Sequence, residues 1–294
     1  MVVISTFVIF DIETTGLPRC EKNRTKITEL TFLAVSVKDI EEANISQMPL
    51  INKLSYLFNP ERNIQLEVTA LTGLSNKALK NQLIFKNRIS SINLFLNELP
   101  KPVCLVAHNG NSFDFKLLRS EYKDAGADLP DDLYCVDTLW GFKHILKDNN
   151  LCHERIAANT SKSDADLLTD DEDWPELNMS AEDCDEIDQL VESFSKISPL
   201  KNSDNSKTTG KDKSVPTKAN KPVLKISNEK GPKIIFTLQA LYKRLLNKVA
   251  VNAHRSEADC IMLLECIIAL KEKFLPYMYD KCKLISEVKP YERY

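Results

Sequence analysis

A chain of 294 residues, 43% hydrophobic and 28% charged, is long enough to bury one substantial core and to carry an insertion or tail beyond it. The net charge of −3 excludes a uniformly basic nucleic-acid-binding surface, yet residues 160–233 hold 11 Lys and Arg against 16 Asp and Glu, a net of −5 that leaves +2 elsewhere, so a local basic groove stays open. The eight cysteines form no C-x-x-C pair and no zinc spacing, which argues for thiols in a reducing compartment and against a disulfide framework.

Residues 6–12 (TFVIFDI) are almost continuously apolar and rich in β-branched and aromatic side chains, the pattern of a strand covered on both faces. No basic leader precedes them, so they do not read as a secretory signal. Residues 27–38 (ITELTFLAVSVK) and 53–58 (KLSYLF) predict two further strands in an antiparallel meander with the first. Helical spacing over 83–99 stops at Pro100 and Pro102. A strand at 103–107, a helix from about 113 to 123 and a strand at 133–136 follow. The order predicts an α/β fold, a mixed five-stranded sheet flanked by helices.

Residues 160–233 are first dense in Asp and Glu and then in Lys, Ser, Asn, Thr and Pro, too polar to offset the entropy of ordering them, and are expected to form a disordered insertion. A short helix at 190–197 is the one exception expected there. Amphipathic helices are predicted at 237–246 (TLQALYKRLL) and 256–271. The apolar run 261–270, broken by Glu265, is about half the ~20 residues of a membrane span, so no membrane anchor is expected. The expected organisation is a domain split into residues 1–159 and 234–294 around the insertion at 160–233.

Three constellations carry chemistry. Asp11 and Glu13, alternate residues at the end of the first strand, point to one side and can share a hard cation, or can simply meet solvent. Asp114 follows the strand and Gly-containing turn of AHNGNSFD, at the same sheet edge as Asp11; a carboxylate there suits either a helix start or a metal ligand. His108 in the same stretch reads as a hydrogen-bonded structural residue. His254 and Asp259 lie in AHRSEAD, where Ser256 is the expected N-cap, Asp259 falls in the first helical turn and Glu257 is a favourable acid.

In this order, acid-x-acid, Asp, and His-x-x-x-x-Asp resemble the DEDDh exonuclease superfamily. FDIETTGLP, ITELTFLAV, LTGLSN, LVAHNGNSFDF, CVDT and AHRSEAD resemble the three-prime repair exonuclease (TREX) family over nearly the whole chain outside the insertion. The resemblance implies a ribonuclease H-like fold and a 3′-to-5′ exonuclease releasing nucleoside 5′-monophosphates from single-stranded or frayed DNA 3′ ends. It implies that Asp11, Glu13, Asp114 and Asp259 hold two divalent ions, ~3.5 to 4 Å apart in such sites. Asp11 would bridge them, Glu13 and Asp259 would complete the water-activating site, and His254 would be the general base. All-oxygen ligands favour Mg²⁺, with Mn²⁺ as a substitute. By matching position, Glu13, Thr14, Leu17, Leu71, Phe113 and His254 would contact the terminal nucleotides, Leu17 and Leu71 as apolar wedges. A homodimer joined sheet edge to sheet edge is implied, where the second strand, ITELTFLAV, suits the pairing edge and equally the inside of a monomer, and the insertion is a candidate site for a protein partner.

The sequence departs from the mammalian pattern at Ser112, where Arg is usual, and at Ile235-Phe236, where a Ser-Tyr pair is usual; each loses a polar contact to phosphate or backbone. An exoribonuclease using the same residues, or an idle nucleic-acid-binding scaffold, are the competing readings. The expected location is cytoplasm or nucleus, without secretion.

Overall fold

The computed structural model describes residues 2–146 and 235–293. The expected insertion, its short helix, its role with a partner and both expected domain boundaries fall outside these residues. The two described stretches belong to one compact unit.

In chain order the elements are β1 (Thr6–Thr14), β2 (Ile27–Ser36), α1 (Val37–Glu42), β3 (Asn52–Leu57), α2 (Leu66–Thr72), α3 (Asn76–Leu79), α4 (Ile89–Glu98), β4 (Val103–Ala107), α5 (Asp114–Ala125), β5 (Tyr134–Asp137), α6 (Thr138–Ile145), α7 (Leu238–Leu246), α8 (Ser256–Ala269), α9 (Lys271–Lys281) and β6 (Lys283–Leu284). The sheet order is β3-β2-β1-β4-β5-β6. β1 and β3 flank β2 in antiparallel pairs, β1–β4 and β4–β5 are parallel, and β6 closes antiparallel to β5. The five predicted strands form, and two residues of β6 add a sixth. β2 is paired on both sides, so it is not an edge strand; β3 and the two-residue β6 are the edges.

β1 is buried because helices cover both faces of the sheet. Phe7, Ile9, Leu33, Val35, Cys104 and Val106 pack against Leu241, Leu245, Leu263, Leu264, Ile267 and Phe274 of α7, α8 and α9. Val8, Phe10, Phe32 and Leu105 pack on the other side against Ile92, Leu96, Phe115 and Leu118 of α4 and α5. α8 departs from its amphipathic reading: Cys260, Met262, Leu263, Leu264, Cys266, Ile267 and Ile268 are all buried, since it packs against the sheet and α7 together. The helix expected from residue 83 starts later, at a 3₁₀ turn over Phe85–Arg88. Among the described residues no helix is long and apolar enough to cross a membrane.

Candidate active site

Alternation along β1 sets the first pair of acids. Phe7 and Ile9 face α8, and the next two side chains on that face are Asp11 and Glu13. Across the ladder Asp11 stands opposite Thr31 and Glu13 opposite Glu29, so the apolar stripe turns polar on both strands at once. The N-terminus of α8 lies over this polar end. The Thr31 and Ser256 hydroxyls are 2.7 Å apart, and the Cys260 thiol reaches the Thr31 carbonyl oxygen at 3.6 Å.

Ser256 is not the N-cap. It is the first residue of α8, with Arg255 in the cap position and no side-chain cap bond from it. Glu29 takes over that work from β2. Its Oε2 accepts the Ser256 N–H at 3.1 Å and the Arg255 Nε–H at 3.0 Å, and its Oε1 accepts from Arg255 Nη2 at 2.6 Å. A buried carboxylate at a helix start satisfies orphan donors and the helix dipole together. Glu257, the acid expected at this helix start, pairs with Lys53 at 2.6 Å.

Asp259 sits in the first turn of α8, and its Oδ2 accepts the His254 N–H at 2.9 Å. That bond folds the preceding loop back, with His254 in the left-handed region at φ 67°. The other oxygen, Asp259 Oδ1, is buried with no hydrogen-bond partner among the described residues. Ligand oxygens of Asp11, Glu13 and Asp259 lie within 4.8 Å of one another.

Asp114 arrives from the opposite helix layer, as the first residue of α5. The β1–β4 ladder ends at Ile9 opposite Val106, which leaves the end of β1 beyond it facing the start of α5. The preceding loop is held by Asp137, whose Oδ1 accepts from Asn109 N–H and Leu139 N–H, each at 3.0 Å, and whose Oδ2 accepts from Asn111 N–H at 2.9 Å. His108 is structural, as expected. Its ring nitrogens contact the Thr138 hydroxyl at 3.1 Å and the Phe236 carbonyl oxygen at 2.9 Å, and burial pulls its pKa down to about 4. The departure at Phe236 therefore still supplies a backbone acceptor.

The remaining expected contacts surround the acids less tightly. The Thr14 side chain is turned inward, its hydroxyl donating to the Gly16 carbonyl at 3.0 Å, and Phe113 is half-buried against the core beneath α5. Leu17 is half-buried and Leu71, on α2, is 43% exposed. The two segments are joined: Gln65 N–H donates to the Thr15 carbonyl at 3.0 Å, and the Gln65 amide lies where a Cβ on Gly16 would come within 2.5 Å of it.

Convergence of these acids makes the site electrostatically uphill. Burial, reinforced by Asp114, Asp259, Glu13 and Glu29, raises the Asp11 pKa well above the usual range. Burial, then Asp259, Glu29 and Asp114, push Glu13 up to about 8 against a lowering by Arg255. Burial also carries Asp114 to about 8 and Asp259 to about 6. A divalent cation relieves this repulsion. The all-carboxylate donor set and the orphaned Asp259 Oδ1 fit a hard ion such as Mg²⁺ or Mn²⁺.

The exonuclease family of the RNase_T type matches residues 8–160 of the chain. The chain belongs to this exonuclease family. This exonuclease is 37% identical over 143 residues to human three prime repair exonuclease 2, covering 46% of this chain and 59% of that protein. It is 34% identical over 153 residues to human three-prime repair exonuclease 1, covering 48% of each. These matches bear out the resemblance to the three-prime repair exonucleases, although the chain spans only about half to three fifths of their length. Among solved structures, exonuclease I superposes with a TM-score of 0.54 at 14% identity, over 94% of this chain and 42% of that one, a likeness of fold. Of the four acids read from the sequence, Asp11, Glu13 and Asp259 bring their ligand oxygens together, and Asp114 stands close enough to raise the Asp11 pKa. Glu29 and Asp137, which position them, were not read from it, although ITELTFLAV and CVDT contain them.

Proposed function

We propose that this exonuclease is a divalent-metal-dependent 3′-to-5′ exodeoxyribonuclease that shortens single-stranded or frayed DNA 3′ ends and releases nucleoside 5′-monophosphates. One observation carries the reading: three carboxylates meet within 4.8 Å, one of them with a buried oxygen that has no partner among the described residues. The names of the three-prime repair exonucleases support action from the 3′ end and a part in repair.

Asp11, Glu13, Asp259 and Asp114 would hold two Mg²⁺ ions, which supply charge relief and an acidified water when bound. His254 would take the proton of the attacking water. Burial lowers its pKa, so the ring is neutral and ready to accept at neutral pH. The water oxygen bonds to phosphorus, the bond from phosphorus to the 3′-oxygen of the penultimate nucleotide breaks, and that oxygen takes up a proton. Asp259 fixes the His254 backbone, so one residue would serve both as ligand and as the mount of the base. Glu13, Thr14, Leu17, Leu71, Phe113 and His254 would line the terminal nucleotide. β3, the longer of the two edge strands, would join two copies in a homodimer.

The test is a labelled single-stranded DNA and its RNA counterpart, each incubated with and without Mg²⁺. Stepwise shortening of the DNA from its 3′ end, abolished by chelation and faster than shortening of the RNA, is the expected result. DNA left intact with Mg²⁺ overturns the reading.

A further inference from the structure

Arg255 stands among the acids of the site and has no role in the reading above. Its guanidinium forks onto Glu29 through Nε at 3.0 Å and Nη2 at 2.6 Å, while Nη1 has no hydrogen-bond partner among the described residues. The Glu29 side chain is 5% exposed and that of Arg255 is 44% exposed, so the fork is anchored at one end and open at the other. Arg255 directly follows His254 in the chain, and Glu29, which holds its guanidinium, stands opposite Glu13 in the β1–β2 ladder, which puts the guanidinium near Glu13. Burial, Asp259, Glu29 and Asp114 raise the Glu13 pKa, and the charge of Arg255 lowers it.

A phosphodiester approaching so many carboxylates needs positive charge beyond the metal ions. A guanidinium with two donors fixed and the rest turned outward is pre-organised for phosphate, because little side-chain freedom is left to lose on binding.

We propose that Arg255, held by Glu29, is a substrate-binding residue that grips a backbone phosphate of the DNA strand beside His254. The inference rests on the exonuclease reading and adds to it a contact at the rim of the acid cluster. The alternative role for Arg255 is bracing alone, in which its charge serves only to neutralise buried Glu29.

The two roles separate by salt dependence. Binding of a 5′-fluorescein-labelled single-stranded DNA to the full chain is followed by anisotropy across a KCl series, with Ca²⁺ replacing Mg²⁺ to prevent cleavage. Removing one phosphate contact lowers the slope of log affinity against log salt by ~0.7 for a single strand. Arg255→Gln keeps a donor for Glu29, and is expected to weaken binding roughly tenfold or more and to lose that increment of slope. Under Mg²⁺ it should raise KM by the larger factor and change kcat little. Arg255→Lys should keep the slope. The double variant Glu29→Gln/Arg255→Gln removes the buried charge with its partner, so the slope can be read even where the single variant does not fold. Wild-type slope in the Gln variants overturns the proposal, whatever happens to turnover. Wild-type protein that neither binds nor shortens the DNA overturns the exonuclease reading instead.

Discussion

At the scale of single residues, the site depends on groups with unequal duties. His254→Ala should lower kcat by ~10²- to 10⁴-fold, the usual worth of a positioned base, and leave the melting temperature near wild type, measured by steady-state cleavage beside a thermal melt. Asp259→Asn should abolish most activity as well, because it removes a ligand and alters the acceptor of the His254 N–H. Asp137 does different work. Asp137→Ala leaves three backbone donors of the Asn109–Leu139 region without their acceptor, each costing ~1–3 kcal/mol when buried, so a clear fall in melting temperature should accompany the loss of activity. A variant as stable as wild type would mean that the loop is held otherwise. Asp11 and Glu13 could be read in the sequence because alternate acids ending an apolar strand are conspicuous. Glu29 could not, since an acid inside a strand of β-branched and aromatic residues gives no sign of which helix it will cap, and its partners come 226 and 227 residues later.

At the scale of elements, the two leucines proposed to meet the terminal bases, Leu17 in the turn after β1 and Leu71 on α2, are mounted on one support. Gln65 links the turn after β1 to the start of α2, and a methyl on Gly16 would strike its amide. Gly16→Ala should therefore shift Leu17 relative to Leu71 and raise KM several-fold with little change in kcat, read in a steady-state assay on a short DNA. An unchanged KM would detach these leucines from substrate. The five main strands and α5, α7 and α8 were predictable because each is either apolar on both faces or periodic. α9 was not, because Pro276 in its interior is a helix-breaking signal. There, packing of Phe274, Leu275, Tyr277 and Met278 outweighs it. β6 spans only two residues, too few to leave a pattern.

At the scale of the whole molecule, the acid cluster links stability to pH. Glu13 and Asp114, raised to about 8 from 4.5 and 3.8, and Asp259, raised to about 6, bind protons more tightly folded than unfolded. The sign follows: their contribution is fully present below about pH 4 and is lost as pH rises toward 8, so this part of metal-free stability declines across that window. Divalent cations replace those protons, so Mg²⁺ should raise the melting temperature more at pH 8 than at pH 5. Equal shifts would detach the metal from these acids. The split-domain reading predicts that replacing residues 160–233 by a short Gly/Ser linker leaves Mg²⁺-dependent cleavage within a few-fold of wild type, measured on the same DNA. Loss of folding would make the segment part of the core. Asp11 and Asp259 belong to one site, yet they stand 248 positions apart in the sequence. A nascent chain emerging from the ribosome therefore carries the strand-borne acids long before the base that would use them. Its hydrolytic power would switch on only once the segment carrying His254 and Asp259 has also emerged, a latency inherent in the order of the gene.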